Sequence, residues 1–133
     1  MPHFHIDYSA NLEERLDIAA LCVVLRDAAL DTGLFPAAGI RIRALRADHV
    51  LMADGNPDHA YLDLSIRLRE GRPRQAKIDA TARIFAAAET FCQEVLDTSS
   101  FMLSCEMRDI DAELSPKVSS IRRYMPGDSD ERS

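Results

Sequence analysis

AYLDLSIRLR at residues 60–69, running into EGRP at 70–73, decides how the rest of the chain is read. Leu62, Leu64, Ile66 and Leu68 fall on one side of an extended segment and Tyr61, Asp63, Ser65 and Arg67 on the other, the period of a half-buried strand. Gly71 marks a turn, and Pro73 suits the first position of a helix, where its missing N–H would be unpaired anyway. Ile78, Ala82, Phe85, Ala88, Cys92 and Val95 then recur at helical steps and predict one helix over 73–96. Phe101, Leu103, Cys105 and Met107 alternate with Met102, Ser104, Glu106 and Arg108, a second strand. The unit is strand, helix, strand.

Working back from residue 60, turn residues crowd 53–58 and form the one good internal boundary. Upstream of it the same order is written about 60 residues earlier. Phe4, Ile6 and Tyr8 alternate with His3, His5 and Asp7 in a strand over 3–8. Asn11 followed by Glu14 resembles a capping box, and Leu12, Leu16, Ala20, Val23 and Val24 predict a helix over 12–31, stopped at Thr32 and Gly33. Residues 40–46 alternate again. The expected fold is therefore α/β: a duplicated βαβ unit, pseudo-repeats at about 2–52 and 60–110, within a single domain over 1–126. Right-handed crossovers place both helices on one face of a four-stranded mixed sheet. Apolar residues on both strand faces imply that the other face is covered, most simply by another copy of the chain. Leu114, Val118, Ile121 and Tyr124 are expected to form a short helix or arm across a neighbour, and residues 127–133 a solvated tail.

Composition sets limits on partners. The 133 residues are 47% apolar and 29% charged, which is globular, and the net charge of -6 argues against a nucleic-acid partner. No apolar run approaches a membrane span, and the first ten residues lack the pattern of a signal peptide, so no membrane partner is expected. Cys22, Cys92 and Cys105 are an odd set without CxxC spacing, which fits reduced thiols in a cytoplasmic protein. Of the 16 basic residues all but Lys77 and Lys117 are Arg. Residues 40–83 hold eight Arg and Lys77 against six acids, a basic centre in an acidic chain. Arg presents a planar fork that matches carboxylate and phosphate, so this centre suggests a site for a small anion.

No Walker loop, GxSxG elbow, HExxH or dinucleotide fingerprint is present. His3 and His5 share a strand face, yet with His49 and His59 they make no ligand set of recognisable spacing, and no metal is expected. The start of the chain is more informative. A small residue at position 2 permits removal of Met1, which would leave Pro2 with a free secondary amine at the head of a strand. An α-amino group titrates near 8, and nearby cations with partial desolvation lower it toward the value at which a base works best.

Pro2 opening a strand, TGLFPAAGIRIR at 32–43, MADG at 52–55 and EGR at 70–72 together resemble the 5-carboxymethyl-2-hydroxymuconate isomerases of the tautomerase superfamily, over about residues 2–124. The EGR element is also similar to the first helix entry of the shorter 4-oxalocrotonate tautomerases. The resemblance implies a homotrimer with sheets inward, helices outside, and an active site at each amino-terminal proline. It implies no cofactor. Its chemistry is an allylic keto-enol isomerisation in aromatic (homoprotocatechuate) catabolism. Pro2 takes the proton of the 2-hydroxyl of a di- or tricarboxylate dienol and returns it further along the conjugated system.

Carried over residue by residue, the resemblance places substrate-binding Arg at Arg41 and Arg72. Arg43 lies on the same strand face as Arg41 by period two, so spacing leaves open which of them faces the ligand. Phe35, Tyr61 and Phe101 are candidates for pocket walls, with core or interface packing the commoner role, and Glu106 for a second acid or base, against a solvated carboxylate. The alternatives are a phenylpyruvate-type tautomerase, a dehalogenase-like member of the superfamily, or an inactive trimeric binding protein.

Overall fold

The computed structural model describes residues 2–126. In chain order the elements are β1 (His3–Ser9), α1 (Ile18–Asp31), β2 (Arg41–Ala47), β3 (Ala60–Arg69), α2 (Arg74–Phe91), α3 (Gln93–Thr98) and β4 (Phe101–Ile110). They form one sheet in the order β2-β1-β3-β4. β1 runs parallel to β2 and β3 parallel to β4, as a crossover helix demands, while β1 and β3 meet antiparallel. Two βαβ units thus stand side by side in opposite directions.

One face of the sheet makes the core. Phe4, Ile6 and Tyr8 of β1 and Leu62, Leu64, Ile66 and Leu68 of β3 are buried beneath Leu21, Leu25 and Ala29 of α1 and Ala80, Ile84 and Ala88 of α2. α2 turns Ala80, Ile84 and Ala88 to the sheet, so Ile78 and Ala82, expected inside, are instead exposed, Ile78 beside β4. The opposite face departs from the expectation of apolar residues on both sides. Its register sets Asp7 against Asp63, His5 against Arg43 and Ser65, and His3 against Arg41 and Arg67. This face is mainly polar, with Tyr61 Oη donating to Asp7 (2.7 Å) and Ser104 Oγ to Asp63 (2.7 Å).

Three helix boundaries also differ. Residues 10–14 are a 3-10 turn, and α1 begins later, capped by Asp17, whose carboxylate accepts from the Ala20 N–H at 3.0 Å. The expected cap, Asn11, uses its side-chain amide to hold the Pro57 and His59 carbonyls at 3.1 and 2.8 Å. The helix expected to run unbroken to residue 96 ends at Phe91, and α3 resumes after Cys92, whose ψ of 8° is off the helical path. Beyond β4 the chain makes two 3-10 turns, at 112–114 and 121–124, with Leu114, Val118 and Tyr124 largely exposed. The expected tail at 127–133 lies outside the described residues. Among the described residues no helix is long and apolar enough to cross a membrane.

Candidate active site

The start of β1, the start of β2 and the ends of β3 and β4 converge at one end of the sheet. Pro2 sits there, buried, with its carbonyl accepting the Arg41 N–H at 3.1 Å. This bond ties the residue before β1 to the first residue of β2, so Pro2 is held where a chain end would fray. Register then puts His3 between Arg41 and Arg67. A cleft of about 240 Å³ opens beside them, lined by Arg41, Arg67, Arg69 and Lys117 around His3, with Ser115 and Pro116 crossing it. Among the described residues no carboxylate lines it.

The electrostatics follow from that composition. His3 is pushed down to about 4, first by burial and then by the Arg41 and Arg67 charges beside it, so its ring is neutral at pH 7. Arg41 Nη2 lies 2.9 Å from His3 Nδ1 and 3.1 Å from Nε2, so the unprotonated ring nitrogen of the neutral imidazole accepts from it. An anion entering the cleft meets fixed positive charge, and a base that becomes cationic on taking a proton meets a field that favours its neutral form.

Arg41 and Arg43 part company here. Arg41 lines the cleft, whereas Arg43 sits one pleat further along β2, opposite His5. Arg72 lies just outside the lining, after the turn at Gly71 (φ 112°), a backbone angle that favours glycine, and its Nη1 donates to the Arg69 carbonyl at 3.1 Å. Pro2, Arg41 and Arg72 therefore belong to one end of the sheet, with Arg72 set behind Arg69. The aromatic candidates lie elsewhere: Phe35 packs edge-on against Phe4 in the core, Phe101 joins the core margin, and Tyr61 bonds Asp7. Glu106 is exposed, 4.0 Å from Arg108. Among the described residues no three His, Cys, Asp or Glu side chains gather as metal ligands.

Sequence reasoning missed Arg67, Arg69 and Lys117. Alternation alone puts the two arginines on the open face, but only the antiparallel pairing of β1 with β3 brings residue 67 to residue 3. A larger groove of about 780 Å³ runs between α2 and β4, lined by apolar side chains such as Ile78, Phe85, Leu103 and Met107 and by polar ones that include Lys77, Glu106 and Asp109. None of Pro2, Arg41 and Arg72 reaches it.

A duplicated βαβ sheet with a cationic cleft at the head of its first strand defines a tautomerase-like protein. Residues 2–125 match the family model of 5-carboxymethyl-2-hydroxymuconate isomerase, and the chain belongs to that family of isomerases. It is 29% identical over 121 residues to the 5-carboxymethyl-2-hydroxymuconate Delta-isomerase of Escherichia coli, covering 91% of this chain and 96% of that one. A crystal structure of a 5-carboxymethyl-2-hydroxymuconate delta-isomerase superposes with a TM-score of 0.88 at 27% identity, over 96% of this chain and 95% of the other. A 5-carboxymethyl-2-hydroxymuconate isomerase from Deinococcus radiodurans R1 gives 0.85 at 28%, over 93% and 94%. More distant structures share the fold alone, among them a fused 4-OT symmetric trimer at 0.59 and 18%, over 84% and 88%.

Proposed function

We propose that the chain isomerises 5-carboxymethyl-2-hydroxymuconate to its unsaturated 2-oxo isomer without a cofactor, with Pro2 as the base once Met1 is removed. The observation that supports this reading is the cleft at the end of the sheet where Pro2 sits, lined among the described residues by four cations and no carboxylate. Such a site suits a substrate carrying several carboxylates. Pro2 nitrogen accepts the 2-hydroxyl proton, the O–H electron pair becomes the new C=O, and the conjugated π electrons shift to a distal carbon. That carbon then takes the proton from the prolinium. One O–H bond is broken, one C–H bond is made, and nothing is gained or lost.

Each residue has a physical task. Arg41, beside Pro2, pairs with the carboxylate next to the 2-hydroxyl and stabilises charge on the developing keto oxygen. Arg72 binds from the helix entry, and Arg43 ranks below Arg41 because it sits one pleat further along β2, opposite His5 and outside the lining of the cleft. The cations that keep His3 neutral act in the same direction on a Pro2 amine. A homotrimer in a cytoplasmic catabolic route completes the proposal. The apolar groove beside β4 and the exposed side chains of Leu114, Val118 and Tyr124 are surfaces another copy would cover.

The test is the ultraviolet absorbance change of 5-carboxymethyl-2-hydroxymuconate on adding protein whose mass shows Met1 absent. Conversion far above the buffer rate is expected. A Met-free preparation that leaves the absorbance unchanged would remove the proposed activity.

A further inference from the structure

The cleft holds more positive charge than one carboxylate contact requires, and the cations are held differently. Arg41 is engaged with His3, while the side chains of Arg67, Arg69 and Lys117 make no hydrogen bond or ion pair among the described residues. The nearest acid in sequence, Glu70, is used elsewhere: its Oε2 accepts the Ala112 N–H at 2.8 Å. That bond begins a built return of the chain. Asp111 accepts from the Glu113 and Leu114 N–H groups, and Ser115 Oγ donates to the Asp111 carbonyl at 2.6 Å. The segment leaving β4 is thereby folded back across the end of the sheet, carrying Lys117 to Arg67 and Arg69. A carboxylate that would neutralise the cluster is thus spent on positioning one more cation.

We propose that Lys117, Arg67 and Arg69 form a second carboxylate subsite, apart from the Arg41 position, which selects a substrate bearing an additional carboxylate branch. The inference rests on the reading of the cleft given under the proposed function and assigns it a specificity. Residues 115–117 are then a strap whose lysine reads the branch, and the flexible lysine stem suits a carboxylate on a rotatable arm. Lys117 is a binding residue in this scheme. Proton transfer stays with Pro2.

The experiment compares 5-carboxymethyl-2-hydroxymuconate with 2-hydroxymuconate, which lacks the carboxymethyl branch, in wild type, Lys117→Met, Lys117→Arg, Arg67→Gln and the remote surface control Arg26→Gln. Calorimetric binding of propane-1,2,3-tricarboxylate is measured on the same proteins. Loss of one charge-assisted contact predicts a fall of about 10- to 100-fold in kcat/KM for the branched substrate in Lys117→Met and Arg67→Gln. The unbranched substrate should change by less than about 3-fold in Lys117→Met, with Lys117→Arg restoring the preference and Arg26→Gln unchanged, while in Arg67→Gln, whose charge also acts on Pro2, the branched substrate should lose at least about 10-fold more than the unbranched one. Equal losses on both substrates, or none on either, would overturn the subsite. If wild type turns over neither compound, the proposed activity fails by itself, and calorimetry judges the subsite alone. Tricarboxylate binding that weakens in Lys117→Met and Arg67→Gln but not in Arg26→Gln then supports it, and binding that is absent or indifferent to these changes ends it.

Discussion

The two ends of the sheet are built from the same kinds of residue and put them to opposite use. At the end where β1 finishes and β3 begins, polar groups are paired off. Tyr8 Oη donates to Glu13, Arg46 bonds both Glu13 and Asp48, and Ser9 and Asn11 hold the β3 entry. His59 lies between Asp54 (2.7 Å from Nε2) and Ser100 (2.6 Å from Nδ1), clasping the 53–59 turn to the start of β4. At the other end Arg67, Arg69 and Lys117 face one cleft unpaired among the described residues, and His3 is driven neutral. Satisfied polar groups fix the fold, whereas cations left without counterions mark where a ligand supplies them.

The largest expected effect lies at the unpaired end. Pro2→Ala, with Met1 removed, should lower kcat by about 100-fold or more, the usual scale of a positioned general base, while leaving Tm near wild type. Activity retained within a few-fold would move the base to another group. Next, Arg41→Ala and Arg72→Ala should each cost about 10- to 100-fold in kcat/KM without unfolding the protein, read by steady-state kinetics alongside circular dichroism. A cooperative loss of structure in either would make it part of the paired kind.

The opposite end should respond in the reverse way. His59→Ala breaks the clasp and is expected to lower Tm by about 3–6 °C while leaving kcat near wild type, measured by thermal melts and the absorbance assay. A kinetic defect with an unchanged melt would erase the distinction between the ends. The smallest effect is a pH slope. His3 titrates lower folded than unfolded, so between about 6.5 and 4 the unfolded chain binds more protons. Its contribution is fully present above 6.5 and fades as pH falls toward 4. His3→Gln should flatten the stability profile over that window, as followed by denaturant melts at stepped pH.

Much of this was legible in the sequence because period-two alternation is local. Residues 60–69 and 3–8 declare their buried faces without reference to anything distant. What was not legible depended on distant partners. Asn11 looked like a helix cap, but the carbonyls of residues 57 and 59 claim it, and Asp17 takes its place. The Arg-rich middle announced an anion site, and the family motif pointed to Arg41 and Arg72. Arg67 and Arg69 entered only through the antiparallel register. Lys117 entered only through a chain reversal 50 residues beyond the sheet segment it completes.

The side-by-side, opposed arrangement of the two βαβ units bears on stoichiometry. At the head of the second unit, where Pro2 stands in the first, the chain has Ala60, the first residue of β3 and part of a continuous peptide. Its nitrogen is an amide that donates to the Ser100 carbonyl at 2.9 Å and has no basic lone pair to offer. With Pro2 as the proposed base, fusing two units therefore yields one reactive amine where two separate chains would carry two. The bereft half is released from proton chemistry, free to specialise as a fastening, and its closing residues become available to the neighbour that kept the amine.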